Sequence, residues 1–145
     1  MQISQAGLKF IADMEGLRSH AYQDAAGVWT IGFGHTGDVK PEDHIGWDTA
    51  FEFLKKDVLE AEHCVHKSVL YPLKQNQLDA LVSLVFNIGC HNFMSSTLLR
   101  KLNKGTRKAS EHFLDWVKVS KNGKSIRMSG LINRRKLEKA MYDGN

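Results

Sequence analysis

The sequence contains only two cysteines and two prolines among its 145 residues. No stretch approaches the roughly 20 apolar residues that a membrane-spanning helix needs. The first residues also lack a basic region followed by an apolar run, so the pattern predicts no secretory signal peptide. We therefore expect synthesis in the cytoplasm, with Cys64 and Cys90 as reduced thiols in the core.

Metal-ligand spacing is also missing from the sequence. Neither cysteine has the paired spacing of a zinc site, and of the seven histidines only His63 and His66 lie one helical turn apart. Such a pair is more typical of a solvated helix face than of a metal site. The sequence predicts no metal and no cofactor, and a chain of this length can bury a core without either.

The charge is distributed unevenly along the chain. Residues 1–99 carry 7 Lys and Arg against 12 Asp and Glu, a net of −5, whereas residues 100–145 carry 13 against 4, a net of +9. This asymmetry is typical of proteins that meet an anionic polymer. Nucleic acid, acidic lipid surfaces and cell-wall polymers all fit, and so does a basic face that is only solvated.

Hydrophobic periodicity predicts a mostly helical chain with one strand-rich interruption. Ser4 is a candidate N-cap for a short first helix, and Gly16 is positioned to end it. The β-like residues 28–34 follow Asp24-Ala25-Ala26-Gly27, which fits a type I turn in a hairpin. Further helices are predicted from about Thr49, over residues 75–88, and near 95–103, 107–118 and 130–142, with a surface loop at residues 120–124.

Two carboxylates in this pattern are candidates for the two roles in glycoside hydrolysis, a protonated general acid and a carboxylate that stays ionised. Glu15 lies at the end of the first helix beside apolar residues, where burial and the negative end of the helix dipole favour the protonated form. Asp24 lies in a hydrated turn and is expected to stay ionised. If Asp24 pairs opposite Val28, strand alternation puts Asp24 and Thr30 on one face.

Several segments together resemble the phage-type lysozymes, glycoside hydrolase family 24. The spacing of Glu15, Asp24 and Thr30 before Ile31-Gly32-Phe33-Gly34-His35-Thr36 is similar to the active-site segment of that family. Residues 80–89, Phe93 with residues 96–99, and residues 130–135 resemble its central helix, the next helix start and its C-terminal motif. The resemblance covers nearly the whole chain.

The resemblance implies an α+β, mostly helical, lysozyme-like fold over a single domain, residues 1–145. A small β-hairpin lobe, about residues 15–60, would be joined by a long helix to a helical lobe. That second lobe would combine the first helix with about residues 61–145.

The resemblance also implies roles for individual residues. Glu15 would be the general acid, with Asp24 and Thr30 holding the attacking water, in a reaction that inverts the anomeric centre. Asn87, Gly32 and Arg134 are candidate substrate contacts, Gly32 because it lacks a side chain beside Thr30. Arg134 resembles the family arginine that approaches the catalytic acid. Its positive charge would favour the ionised form of Glu15, against the effect of burial on the pKa of that carboxyl group. The resemblance points to His35 as a structural residue.

Two other functions remain open at this point. A lytic transglycosylase cuts the same bond with one acid and no water, and a non-catalytic relative would only bind the wall. For the hydrolase, the expected partner is peptidoglycan, cut between N-acetylmuramic acid and N-acetylglucosamine during host lysis. We expect a monomer in the host cytoplasm that reaches the wall through a holin-type lesion, with no nucleic-acid partner and no stable membrane association.

Overall fold

The computed structural model describes residues 1–144, with Lys121 described by its backbone alone. Helices predominate in this range, and the strands form two separate antiparallel pairs. None of the described helices is both long and apolar enough to cross a membrane. In chain order the elements are α1 Gln5–Glu15, β1 Arg18–Gln23, β2 Trp29–Gly32, α2 Trp47–Ser68, α3 Gln75–Ile88, α4 Cys90–Met94, α5 Thr97–Asn103, a 3₁₀ helix Ala109–Asp115, β3 Lys118–Lys121, β4 Lys124–Arg127 and α6 Ser129–Asp143.

The apolar periodicity located the helices well but not all of the strands. Helix α3 has the predicted bounds, and α2 begins at Trp47, slightly before the predicted start. The prediction of a surface loop at residues 120–124 is wrong, because β3 and β4 form a hairpin there. Its turn is Asn122-Gly123, in which both residues have positive φ as a type I′ turn requires.

The residues divide into two compact units. Residues Leu8–Glu60 form one unit, which holds the end of α1, the β1–β2 hairpin and the first part of α2. Its core consists of apolar side chains from these helices and from the residues around β2, as their spacing predicts. Those side chains are Leu8, Ile11, Ala12, Ile31, Phe33, Ala50, Phe51, Leu54 and Val58.

The other unit, here called the helical unit, combines Met1–Gly7 with the chain from Ala61 onward. Helix α3 is its centre, since Leu78, Ala80, Leu81, Val82 and Leu84 have no exposed surface. A helix that is apolar on most sides must be surrounded by other elements. The segments around it supply the remaining buried apolar side chains, among them Phe93, Leu98 and Phe113.

Cys64 and Cys90 form a disulfide, so the expectation of reduced thiols is wrong. Their Cα atoms lie 5.9 Å apart, within the range of a disulfide. One cysteine lies in α2 and the other begins α4, which are 26 residues apart in sequence. Sequence spacing does not reveal such a pair, because the packing of the helical unit brings the two cysteines together.

Candidate active site

Glu15 is the last residue of α1 and is half-buried. The helix starts as predicted, with Ser4 Oγ accepting a hydrogen bond from the Gly7 amide at 3.0 Å. It ends where Gly16, with a φ of +74°, donates from its amide to the Ala12 carbonyl at 2.9 Å. The glycine permits the left-handed backbone that stops the helix, and so fixes Glu15 at the carboxyl end of α1.

The β1–β2 hairpin has the predicted register. Tyr22 pairs with Thr30, and the Asp24 amide donates to the Val28 carbonyl at 3.0 Å. The Gly27 amide donates to the Asp24 carbonyl at 2.9 Å, which closes the expected type I turn. Because strand side chains alternate, Asp24 and Thr30 share a face of the hairpin, as predicted.

The two polar residues on this face differ in environment. Asp24 is exposed, and its Oδ1 accepts hydrogen bonds from the amides of Ala26 and Val28, each at 2.9 Å. Thr30 is only 4% exposed, and its hydroxyl donates to the Val28 carbonyl at 2.9 Å. The hydroxyl proton is thereby committed, so Thr30 Oγ1 offers lone pairs to a further donor.

A tight turn after β2 approaches Glu15. Ile31 and His35 exchange two backbone hydrogen bonds of 2.9 Å, and the residues between them include Gly32 and Gly34, both with positive φ. A Cβ atom on Gly34 would lie 3.7 Å from Glu15 Oε1. The turn and the end of α1 therefore meet at the Glu15 carboxyl group.

The two glycines of this turn have different surroundings. Gly34 is exposed, whereas Gly32 is buried, and a Cβ atom there would lie 3.1 Å from the Cβ of Ala50 and 3.3 Å from Ile45 Cδ1. Packing and a φ of +69° therefore explain Gly32. Its predicted contact with substrate stays a prediction.

His35 has the structural role that the sequence predicted. Its Nδ1 lies 2.9 Å from Asp57 Oδ2, and its Nε2 lies 3.0 Å from the Gly37 carbonyl oxygen. Its ring also stacks on Phe53, with the centroids 4.4 Å apart. Both ring nitrogens are therefore within hydrogen-bond distance of protein groups, as a structural residue requires.

Arg134 and Arg135 belong to a buried network in the helical unit. Glu138 has no exposed surface and accepts from Arg134 Nε at 3.1 Å, from Ser83 Oγ at 2.5 Å and from Arg135 Nη1. Buried charges require such partners. Arg135 also donates to Asn87 Oδ1, so a protein side chain is a partner of Asn87.

Trp47 is not a core residue, although tryptophan side chains usually pack in the core. Trp47 is 47% exposed and stacks on Phe51 at 4.7 Å between ring centroids. Sequence reasoning missed it because periodicity assigns aromatics to a helix face without showing what covers that face.

Neither a large cavity nor a metal cluster identifies the site. Within residues 1–144, no three His, Cys, Asp or Glu side chains are grouped as metal ligands would be. A cavity of about 610 Å³ lies in the helical unit, beside Tyr71, Arg107 and Tyr142. None of the predicted site residues lines that cavity, so the assignment of Glu15, Asp24 and Thr30 to a common site stays a prediction.

Comparison with known proteins gives a consistent result. The family described as phage lysozyme matches residues 12–138. The chain is 46% identical over 144 residues to an endolysin of Acyrthosiphon pisum secondary endosymbiont phage 1, covering 99% of both chains. It is 40% identical over 148 residues to an endolysin of Salmonella phage P22, covering 98% of both.

Two solved structures are similar over almost their full length. The muramidase domain of SpmX from Asticaccaulis excentricus superposes with a TM-score of 0.94 at 38% identity, covering 97% of both chains. An endolysin from Escherichia coli O157:H7 phage FAHEc1 gives a TM-score of 0.92 at 38% identity, covering 98% of this chain and 93% of the other. The expected fold class, mostly helical and lysozyme-like, is confirmed.

Proposed function

This chain belongs to the phage lysozyme family, and from that premise we propose that Glu15 is the general acid with which it hydrolyses peptidoglycan. The chain is a glycoside hydrolase, a lysozyme of the endolysin type. The observation that supports Glu15 most directly is its position at the end of α1, facing the turn at Gly34. A carboxyl group held there can reach a bond in a glycan strand that lies along the hairpin.

Glu15 is half-buried at the carboxyl end of α1. In the proposed step, the Glu15 proton passes to the glycosidic oxygen as the bond from that oxygen to the anomeric carbon breaks. Positive charge then develops on the sugar ring.

Asp24 and Thr30 would position the attacking water. The Thr30 hydroxyl donates its hydrogen bond to the Val28 carbonyl, and Asp24 Oδ1 accepts from two backbone amides, so Thr30 Oγ1 and Asp24 Oδ2 can each accept a hydrogen bond from a water. A water that donates to both directs a lone pair away from them. That lone pair forms the new bond to the anomeric carbon, while Asp24 takes the water proton.

A water held in this way attacks from the face opposite the leaving group, so we propose inversion of configuration in a single step. Inverting glycosidases separate their carboxyl groups by about 6.5–9.5 Å to make room for that water. Proton NMR during turnover tests the proposal. The α-anomer must appear first, and early β-anomer contradicts it.

Product analysis separates hydrolysis from the alternatives. Digestion of purified peptidoglycan in ¹⁸O-water should place one label in each new reducing N-acetylmuramic acid, for the wild type and more slowly for Asp24→Asn. A lytic transglycosylase would give unlabelled anhydro ends that lack one water. A wall-binding protein without catalysis would give no products.

The remaining proposals concern the substrate contacts, the extent of the domain and the oligomeric state. We propose Asn87 and Arg134 as substrate contacts, although their described bonds to Arg135, Glu138 and Ser83 support a structural role as well. Alanine at Asn87 should raise KM without a matching fall in kcat if it touches substrate. We also propose one lysozyme domain over residues 1–145, acting as a monomer.

We propose that the protein is made in the host cytoplasm and reaches the wall through a holin-type membrane lesion. The Cys64–Cys90 disulfide supports action outside the cytoplasm, since disulfides persist in the periplasm and are reduced in the cytosol. Fractionation of cells that express the protein alone tests this route. Periplasmic protein in cells with intact membranes would contradict it.

A further inference from the structure

The β3–β4 hairpin of the helical unit is exposed along its described side chains. Its strands pair in an uninterrupted register, with Lys118 opposite Arg127 and Val119 opposite Ile126. An isolated two-stranded hairpin is marginally stable in water.

One face carries a row of aliphatic side chains. The row starts at Val117, which is buried and whose carbonyl accepts from the Met128 amide at 2.9 Å. Strand alternation then places Val119, Ile126 and Met128 on the same face, and these are 38%, 40% and 45% exposed. The core's apolar surface thus extends outward along the hairpin into solvent.

Cations lie on both faces of the hairpin, with Lys124 on the same face as the aliphatic row. Lys118 and Arg127 lie directly opposite each other on the second face, and like charges in that arrangement destabilise a strand pair. Between Trp116 and Leu137 the sequence contains seven Lys and Arg residues and no Asp or Glu. Among the side chains that the structure describes, Lys118, Lys124 and Arg127 take part in none of the ion pairs.

We propose that this hairpin docks reversibly on an anionic lipid surface, with the aliphatic row entering the headgroup boundary and the cations contacting lipid phosphates. Exposed aliphatic side chains beside cations fit that surface, which offers apolar chains and negative charge together. A glycan strand offers no comparable apolar layer, and sugar rings are recognised by aromatic side chains, which β3 and β4 lack. The inference does not depend on the catalytic assignments.

Vesicle flotation tests the proposal with the intact protein. The probes are vesicles of phosphatidylcholine alone and vesicles with about 30% phosphatidylglycerol. We expect binding only to the anionic vesicles, weakened by salt. Lys118→Gln with Arg127→Gln should weaken binding by about 25-fold, at about fivefold for each cation. Lys56→Gln with Lys104→Gln removes the same charge from exposed positions elsewhere and should change binding by about twofold or less.

The aliphatic row is tested separately. Val119→Ser with Ile126→Ser keeps every charge and should weaken binding on the order of tenfold. Hydrolysis of purified, membrane-free sacculi should be unaffected in all these variants, which separates this proposal from the catalytic one.

Three results would overturn the lipid proposal. They are equal wild-type binding to neutral and anionic vesicles, unchanged binding by the Lys118/Arg127 variant, and loss of sacculus binding by that variant with vesicle binding intact. The last result would make the wall polymer the partner instead.

Discussion

A Cβ atom placed on Gly34 would lie 3.7 Å from Glu15 Oε1, an ordinary van der Waals distance. The two residues come from different elements, the end of α1 and the turn after β2. Gly34 has a φ of +89°, a backbone conformation that favours glycine. The absence of a side chain at Gly34 also leaves space beside the Glu15 carboxyl group.

Gly34→Ala should therefore impair catalysis beyond its effect on stability. The left-handed backbone costs an alanine about 1–2 kcal/mol of unfolding free energy. Gly123→Ala is the control, since Gly123 has a φ of +74° and its Cβ would meet nothing within 4 Å. Urea unfolding should show comparable losses, whereas only Gly34→Ala should lower kcat, by about tenfold. Equal kcat values would show that the methyl group does not disturb Glu15.

The Thr30 hydroxyl can be tested by two substitutions of different kinds. Thr30→Val keeps the shape but removes the proposed acceptor for water, and should lower kcat by about 10²-fold. It also removes one of the two hydrogen bonds that the Val28 carbonyl accepts, leaving the one from the Asp24 amide, at about 1 kcal/mol of stability. Thr30→Ser keeps the hydroxyl and should restore most of the activity. If both variants lose the same activity, the water-positioning role is wrong.

The sequence predicted best those features that depend on residues close together in the chain. The bounds of α3 and the register of the β1–β2 hairpin follow from residues close in sequence, and both were confirmed. The β3–β4 hairpin was missed although Asn122-Gly123 is a strong hairpin signal, because the polar flanking residues favoured a loop.

Contacts between residues far apart in the sequence were harder to predict. The Cys64–Cys90 bond and the burial of Glu138 with Arg134 and Arg135 depend on which helix faces meet. Charged residues are usually exposed, so composition favours the opposite interpretation of that arginine pair. The closeness of Gly34 to Glu15 likewise required coordinates.

The disulfide should stabilise the protein substantially. It closes a loop with a sequence separation of 26, for which the chain-entropy argument gives about 3 kcal/mol. Urea denaturation of the wild type with and without reductant measures this directly. Cys64→Ser with Cys90→Ser should match the reduced wild type and should not respond to reductant. An unchanged midpoint in reduced wild type would contradict the prediction.

Asp143 should make stability depend on pH in the acidic range. Burial raises its pKa, but hydrogen bonds from Lys139 and Ser110, together with the Lys139 charge, outweigh burial and lower the pKa below 3.8. The stabilisation is therefore complete above 3.8 and is lost as the pH falls through the lowered value. At neutral pH, Asp143→Asn should cost roughly 0.5–1 kcal/mol, since the pair is partly exposed.

The pH series itself is the check on Asp143. The difference in unfolding free energy between wild type and Asp143→Asn should shrink as the solution is acidified below 3.8. Asp13→Asn, at an exposed position on α1, serves as the comparison for removing one carboxylate from the surface. A difference that stays constant or grows on acidification would contradict the assignment.

The central claim is that the Glu15 carboxyl group delivers the proton that breaks the glycan bond. Lysis of chloroform-treated cells, followed by turbidity, compares wild type with Glu15→Gln, which keeps the shape of the side chain but cannot act as a carboxylic acid. Glu42→Gln, at an exposed position, is the matched control. We predict a loss of about 10²–10⁴-fold for Glu15→Gln in protein that circular dichroism shows to be folded, and wild-type lysis for Glu42→Gln. Clearing by Glu15→Gln at the wild-type rate would contradict the account.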